Sequence, residues 1–408
     1  MRGRPVALVL VALLVAVACS GPGGGPILAN PTAPRPSLAP TPTPPAAVAD
    51  PQPIVLPRDD GPHDRLTEWW YFTGHLSGAA GDGVERRFGF EYVIFRAERG
   101  AFPPAWVSHL AITDETGDAF HYAQRQEIGP QVDRSPRDAD GVPTGFDLAL
   151  TGLDPTDPTT LERRPWTMTG RDDVAVLEAS AESSEMTFGP HPPTETPVRL
   201  GLDLQLAAQK PPALHDGDGW IDFGAAGGSY YYSRTAMTAG GTLYVGLDTI
   251  PVDGIAWFDH QWGDFISIGG GGWDWFAVNL EDGTDLTLSL VRDADGSYPL
   301  VYGTLVDEDG ATRHLDETAF TVEVTDRWVS PTTGADYPAG WRIDIPDESL
   351  TIDLRPTVAD QELDTRATTG VVYWEGSQVV EATRDGMRLG GEGYVELTGY
   401  APSATTAP

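Results

Sequence analysis

Short runs in which polar and apolar residues alternate constrain the fold of this chain more than any other feature. The runs are rich in Val, Thr, Tyr, Phe and Trp, and apolar residues at a helical period are scarcely present. Examples lie at residues 88–95, 106–112, 243–247, 285–291, 320–324 and 350–354. Dipeptides typical of hairpin turns separate them, namely Gly117-Asp118, Asp282-Gly283, Asp295-Gly296 and Asp309-Gly310. The pattern predicts an all-β protein, and closure into barrels would remove exposed strand edges.

The first 18 residues are typical of a signal peptide. Arg2 and Arg4 precede an apolar stretch at 6–17, which is too short to span a bilayer, and small residues follow before Cys19. Cys19 is the only cysteine, and its position resembles a bacterial lipobox, which implies cleavage before Cys19 and lipidation of it. The alternative is ordinary secretion with an incidental cysteine. We expect an extracytoplasmic lipoprotein on the outer face of a bacterial cell membrane, without disulfides.

Composition divides the rest of the chain. Residues 19–56 are rich in Pro, Ala and Thr and cannot bury enough apolar surface to offset the entropy of ordering, so they predict a disordered tether. About 345 residues remain, more than one β core usually serves. We place an N-terminal domain at 57–250, a C-terminal domain at 251–402 and a frayed tail at 403–408.

The formal charge of −34 excludes one class of partner. Nucleic acid phosphates would be repelled by such a surface. The acidic residues concentrate in the predicted turns, so we interpret the charge as a solvated surface.

Residues 254–280 combine large rings with polar side chains. If the segment is a strand, Phe258, His260 and Trp262 share one face. Asp259 lies on the other face, together with the residues two positions before and after it. An imidazole beside a large ring is a plausible acid or base, because burial and a nearby carboxylate move its pKa. The alternative is a polar strand end packed on aromatic rings.

Three motifs carry a family resemblance: Glu-Trp-Trp-Tyr-Phe-Thr-Gly-His at 68–75, Asp-His-Gln-Trp-Gly at 259–263 and Gly-Tyr-Val-Glu-Leu-Thr-Gly-Tyr at 393–400. Together they resemble the AttH-like and carotenoid 1,2-hydratase (hydroxyneurosporene synthase) family, over residues 57–402. The resemblance implies two lipocalin-like antiparallel β-barrels packed side by side. It also implies a ligand site at their junction, which agrees with the preference of ligand sites for domain interfaces.

Other chemistries find little support in the residues. The chain has no Gly-x-Ser-x-Gly elbow and no His-x-x-x-His pair, and the glycines at 269–272 lack P-loop spacing. The sequences Asp-Ala-Asp-Gly at 293–296 and Asp-Glu-Asp-Gly at 307–310 lack the closing Glu of a calcium loop and are interpreted as hairpin turns. We expect no metal and no cofactor.

Acid/base chemistry in an aromatic pocket remains. Hydration of a carbon–carbon double bond needs a proton donor, a base for water, and rings that stabilise positive charge. In the carotenoid hydratases the site is associated with His-x-Trp and a following Tyr-x-Asp; His260 and Trp262 match the first pair, and the second is not evident here. We predict His260, Trp262 and Asp259 as catalytic, with Asp259, Asp264 or Asp274 as the substitute for the missing aspartate. The predicted ligand-binding residues are Glu68, Trp70, Tyr232, Trp257, Gln261, Trp273, Asp274 and Trp275.

Two functions stay open. The first is a hydratase, lyase or cyclase-like enzyme on an apolar polyene or terpenoid-type, carotenoid-like substrate, and the chain also resembles fungal lipocalin-type cyclases. The second is a non-catalytic lipoprotein that carries a hydrophobic ligand at the cell surface. Glu68 is either a buried partner for Arg or His, or an acid of the site. Under either function the partners are a hydrophobic small molecule and the membrane, and we expect a monomer.

Overall fold

The computed structural model describes residues 49–81, 83–152, 163–182, 186–188, 199–265 and 270–401. The predicted signal peptide, the lipidation site Cys19, most of the predicted tether and the tail at 403–408 lie outside these residues. Within the described ranges, no helix has the length and apolar character needed to cross a membrane.

The alternating runs form strands, and every pairing between them is antiparallel. The first sheet contains β1 (Thr67–Ala79), β2 (Glu85–Ala97), β3 (Ala105–Asp114), β4 (Ala119–Ile128), β5 (Phe146–Leu150), β6 (Trp166–Arg171), β7 (Val174–Glu182), β8 (Met186–Phe188), β9 (Arg199–Ala208), β10 (Ala213–Leu214), β11 (Trp220–Asp222), β12 (Gly228–Gly246) and β13 (Asp248–Gly263). Its strand order is β5-β6-β7-β9-β12-β13-β1-β2-β3-β4-β8, with β10 and β11 paired to β12.

The second sheet follows in sequence. It contains β14 (Gly270–Leu280), β15 (Asp285–Asp293), β16 (Leu300–Val306), β17 (Thr312–Leu315), β18 (Thr321–Val329), β19 (Asp336–Ile345), β20 (Leu350–Pro356), β21 (Glu362–Asp364), β22 (Val372–Arg384) and β23 (Met387–Thr398). Its order is β17-β16-β15-β14-β23-β22-β20-β19-β18, with β21 paired to β22. Short 3-10 helices lie at Arg58–Asp60, Pro130–Val132, His215–Gly217, Gly224–Ala226 and Pro346–Glu348.

The two sheets form a near-barrel and a half-barrel, with 63% of the described residues in strands and 4% in helices. This confirms the predicted all-β class with two lipocalin-like units. The first sheet ends at Gly263 and the second begins at Gly270.

Strand alternation gives each sheet one face for its own core and one face for its neighbour. In β1, Trp70 and Phe72 are buried in the core of the first sheet. Tyr71 points the other way and packs in a smaller cluster with Trp257 of β13 and with Trp275 of the second sheet. The backbones approach closely beside this cluster, since a Cβ on Gly89 would lie 2.7 Å from Cβ of Ser377. The two sheets therefore share a packed aromatic interface.

Candidate functional site

Strand β13 presents two different sets of side chains, as its alternation predicts. His260 and Trp262 face the core of the first sheet. Asp259 and Gln261 face the second sheet and line a cavity between the two sheets. The residues at the predicted junction therefore divide between two environments.

The cavity has a volume of about 220 Å³ and is walled mainly by aromatic rings. Its lining residues are Thr67, Trp69, Tyr71, Glu91, Phe95, Phe223, Tyr231, Asp259, Gln261, Phe265, Trp273, Trp275, Ser289, Val291, Tyr302, Tyr373, Glu375 and Glu396. Concave apolar sites with a few convergent polar groups are the usual form of a small-molecule site. We therefore take this cavity as the candidate functional site.

Four carboxyl groups converge on the cavity from both sheets. Glu91 of β2 and Asp259 of β13 come from the first sheet, while Glu375 of β22 and Glu396 of β23 come from the second. Glu375 and Glu396 are direct partners in the β22–β23 pairing. Side chains at such opposed positions lie close together, and two like charges there are unfavourable. The register of the sheet alone therefore favours a neutral form of at least one of this pair.

Tyrosines hold two of these carboxyls. The Tyr71 hydroxyl donates to Oε1 of Glu375 at 2.6 Å, and the Tyr373 hydroxyl donates to Oε1 of Glu91 at 3.2 Å. The Oε2 atoms of both glutamates are buried and have no hydrogen-bond partner among the described residues. His109 shares a hydrogen bond of 2.7 Å between its Nδ1 and the Tyr373 hydroxyl. Two carboxyls are thus fixed in the cavity wall, each with one oxygen left for a proton or a ligand.

Burial makes ionisation of these groups costly. Desolvation raises the pKa of Glu396 to about 7 from its ordinary 4.5; a hydrogen bond with Trp273 acts in the opposite direction, and repulsion from Asp259 adds a smaller increase. Desolvation and then repulsion from Glu396 raise the pKa of Glu91, and the pKa of Glu375 is raised well above its usual range by burial and by its glutamate neighbours. Glu396 is half-buried, whereas Glu91 and Glu375 are fully buried. Glu396 is therefore the glutamate of the cavity that keeps some exposed surface.

Asp259 has a more polar setting. The Tyr231 hydroxyl donates to Oδ2 at 2.5 Å, and Oδ1 accepts from Nε1 of Trp257 at 2.6 Å and from the Ser233 hydroxyl. Burial raises its pKa to about 6, while these three donors act in the opposite direction. Tyr231 in turn accepts a hydrogen bond of 3.0 Å from Nε1 of Trp275. Asp259 thus ionises at lower pH than the glutamates around it.

A separate cluster fills the core of the first sheet. Oε1 of Glu68 contacts Nδ1 of His63 at 2.7 Å and Nε2 of His260 at 3.1 Å. The rings of Trp70 and Trp262 lie 4.7 and 4.6 Å from the His260 ring. Burial lowers the pKa of His260 to about 4, so the ring is neutral near pH 7. His260 therefore occupies a packed, fully buried position.

Three of these side chains have donor atoms suited to a metal ion. The donor atoms of His63, Glu68 and His260 all lie within 4.8 Å of one another. His63 and His260 each contact Glu68 through one ring nitrogen, while Nδ1 of His260 is buried without a hydrogen-bond partner among the described residues. We interpret the group as a hydrogen-bonded cluster that joins the segment before β1 to the sheet.

The structure does not bring the predicted site residues together. Asp259, Gln261, Trp273 and Trp275 line the cavity, and Trp257 supports it through its hydrogen bond to Asp259. The residues in the core of the first sheet are Glu68, Trp70, Tyr232, His260 and Trp262.

Asp274 belongs to neither group. It forms an ion pair of 2.7 Å with Arg292 and accepts hydrogen bonds from the Tyr400 hydroxyl at 3.0 Å. Asp264, considered as a substitute acid, is exposed and paired with Arg65 at 2.7 Å. The prediction that His260 lies at the junction of the two domains is wrong. Even-numbered residues of β13 point into the core of the first sheet, and only its odd-numbered residues, among them Asp259 and Gln261, face the second sheet.

Sequence reasoning missed Glu91, Glu375 and Glu396, together with Tyr71 and Tyr373. One signal was available, since Tyr373 and Glu375 are two residues apart on a strand and so share a face. They form a Tyr-x-Glu pair in the second sheet, more than a hundred residues after His260 and Trp262 in the sequence. Glu91 and Glu396 were each visible as a single carboxylate within a strongly apolar run.

Solved structures with a similar fold and a family model identify the family of this chain. The crystal structure of the AttH protein NE1406 from Nitrosomonas europaea matches with 28% identity and a TM-score of 0.67, over 87% of this chain and 100% of that one. Kievitone hydratase from Nectria haematococca matches with 14% identity and a TM-score of 0.56, over 85% of this chain and 93% of that one, which shows a shared fold. No match was found among curated proteins. The AttH-like family model matches residues 47–400, and the chain therefore belongs to the AttH-like family.

Proposed function

We propose that this protein is a hydratase-type enzyme that adds water across a carbon–carbon double bond of an apolar, polyene or terpenoid-type substrate. The observation that carries the proposal is the aromatic cavity between the sheets with four carboxyl groups in its wall. An apolar wall binds a hydrocarbon, and neutral carboxyls supply protons that a hydrocarbon site otherwise lacks.

Glu396 is the proton donor in this proposal. It is half-buried in the cavity wall, and its pKa of about 7 lies near the operating pH, where a general acid is most effective. Its proton moves to one carbon of the double bond, which leaves Glu396 as a carboxylate and the other carbon as a carbocation. The adjacent rings of Trp273 and Trp275 stabilise that charge, because an aromatic face attracts cations.

Asp259 and Tyr231 form the basic side of the site. The oxygen of a water molecule bonds to the carbocation, and one water proton moves to the Tyr231 oxygen as the Tyr231 proton moves to Asp259. Asp259 suits this role because its pKa of about 6 leaves it ionised at neutral pH. The product gains hydrogen at one carbon and hydroxyl at the other. Return of a proton from Asp259 to Glu396 restores the starting state.

The size of the cavity limits the substrate. Its 220 Å³ is below the range of about 300–1,000 Å³ typical of pockets that enclose a drug-sized ligand. We therefore propose that one end of an extended acyclic chain enters, or a short terpenoid as a whole. The similarity to kievitone hydratase supports the fold of such a site, and the reaction is inferred from the residues of this chain.

Location is part of the same proposal. A lipid on Cys19 and an extended tether would hold the protein at the outer face of the cell membrane, where apolar substrates partition. The carrier function differs from the enzyme function in having no turnover.

The test compares turnover with binding in matched variants. Purified protein is incubated with lycopene or farnesol, hydrated product is measured by mass spectrometry, and binding is measured by tryptophan quenching. We expect Glu396→Gln to lower turnover at least about a hundredfold while binding changes little. Glu381→Gln is the control, since Glu381 lies on the same sheet with its side chain 72% exposed. Binding without turnover in wild-type protein would support the carrier function instead.

A further inference from the structure

The charge of the cavity wall has one sign. Its titratable lining residues are four carboxyls and four tyrosines, and no Lys, Arg or His lines it among the described residues. The neighbouring residues 266–269, outside the described ranges, are Ile, Ser, Ile and Gly in the sequence. A negatively charged ligand group would therefore find no counterion in this wall.

The nearest bases do not change this. His109 contacts the cavity wall through Tyr373, and burial lowers the pKa of His109 to about 3, so it is neutral. Arg292 is occupied by its 2.7 Å ion pair with Asp274 and by hydrogen bonds to the carbonyl oxygens of Gly271 and Thr398. Neither of these two side chains therefore offers an unpaired positive charge to a ligand.

Two further features favour a positive ligand group. The buried Oε2 atoms of Glu91 and Glu375 have no partner among the described residues, so each can accept from an ammonium group once its carboxyl proton is released. The aromatic rings around them add cation–π attraction. A second cavity of about 310 Å³ shares Tyr302 with the first and is lined by four acidic side chains and by His314, whose Nδ1 lies 3.2 Å from one of these carboxylates. Both cavities therefore present negative potential to an entering molecule.

From this juxtaposition we propose that the cavity between the sheets selects apolar molecules that carry a protonated amine over those that carry a hydroxyl or a carboxylate. The proposal concerns binding and requires no turnover, so it goes beyond the proposed reaction and stands or falls separately. A bound ammonium would occupy the region where positive charge develops in that reaction, and a long-chain amine would then also act as an inhibitor.

The test uses three ligands with the same ten-carbon chain: decylamine, decanol and decanoate. Binding is measured by calorimetry at about pH 8.5. At this pH the amine is still protonated, and a larger fraction of the cavity glutamates is ionised than at neutral pH. We expect the amine to bind about tenfold more tightly than the alcohol, with one site per chain, and decanoate to bind most weakly. Buffers with different ionisation enthalpies should show proton release with decylamine and none with decanol.

Variants separate the cavity from the acidic surface. Glu396→Gln should remove most of the preference for the amine over decanol, while Glu381→Gln should keep the wild-type preference. Equal binding of amine and alcohol, tightest binding of decanoate, no binding of any ligand, or an unchanged preference in Glu396→Gln would each overturn the proposal. Retained amine preference without hydration of any alkene would refute only the proposed reaction.

Discussion

Replacing Glu396 by Gln should change how stability depends on pH. Glu396 has a pKa of about 7 in the folded protein and 4.5 ordinarily, so the folded state binds more protons than the unfolded state between these values. Stability must then fall as pH rises through this window, by at most ~1.4 kcal/mol per pH unit for one proton. Between pH 5 and 7 the contribution of Glu396 amounts to about 2 kcal/mol after allowing for partial titration at both ends. Gln has no proton to lose, so this part of the slope disappears.

The assay is chemical denaturation at intervals between about pH 5 and 7, with the free energy of unfolding extrapolated to water. The difference between wild type and Glu396→Gln should move by about 2 kcal/mol in favour of the variant as pH rises. Glu381→Gln should give a curve parallel to the wild type, because its side chain is 72% exposed. Parallel curves for wild type and Glu396→Gln would show that Glu396 is not held neutral by the fold, and the reasoning about the cavity acids would be refuted.

Three further predictions concern other parts of the molecule. His260→Ala should destabilise the protein by about 2–5 kcal/mol in denaturant titrations, because it leaves a void among the packed rings and removes one hydrogen-bond partner of buried Glu68; a loss under about 1 kcal/mol would contradict the described cluster. Gly89→Ala should cost about 1–3 kcal/mol, since the added Cβ would lie 2.7 Å from Cβ of Ser377, and an unchanged midpoint would mean that the sheets pack less tightly. Cys19→Ser should move the protein from the membrane fraction to the soluble fraction, and continued membrane fractionation would disprove lipidation at this cysteine.

Much of the fold follows from local patterns. Alternation and turn dipeptides predicted the strands, and in β13 they predicted correctly that His260 and Asp259 face opposite sides. The pairing of two lipocalin-like units came from the family resemblance. Local pattern gives each strand two faces, but it does not say which face meets the strand's own core and which meets the other sheet.

The site was harder to predict for the same reason. Glu91 and Glu396 are about 300 residues apart in sequence, and only the packing of one sheet on the other brings them to one cavity. Glu375 and Glu396 become neighbours through the β22–β23 register, which depends on the hairpin between them. A carboxylate in an apolar run has the same sequence signature whether it pairs with an arginine or lines a cavity. The His-x-Trp match pointed to His260, whereas the cavity is lined by Asp259, which lies on the opposite face of the same strand.

Incorporation of deuterium into the product measures proton transfer from Glu396 to a carbon of the substrate. Wild-type protein is incubated with an acyclic terpenoid alkene in deuterium oxide, and the product is analysed by mass spectrometry and NMR. Proton donation by Glu396 predicts one carbon-bound deuterium beside the newly hydroxylated carbon, formed by wild type and by Glu381→Gln but not by Glu396→Gln. Label appearing equally with Glu396→Gln, or hydrated product without carbon-bound deuterium, would contradict it.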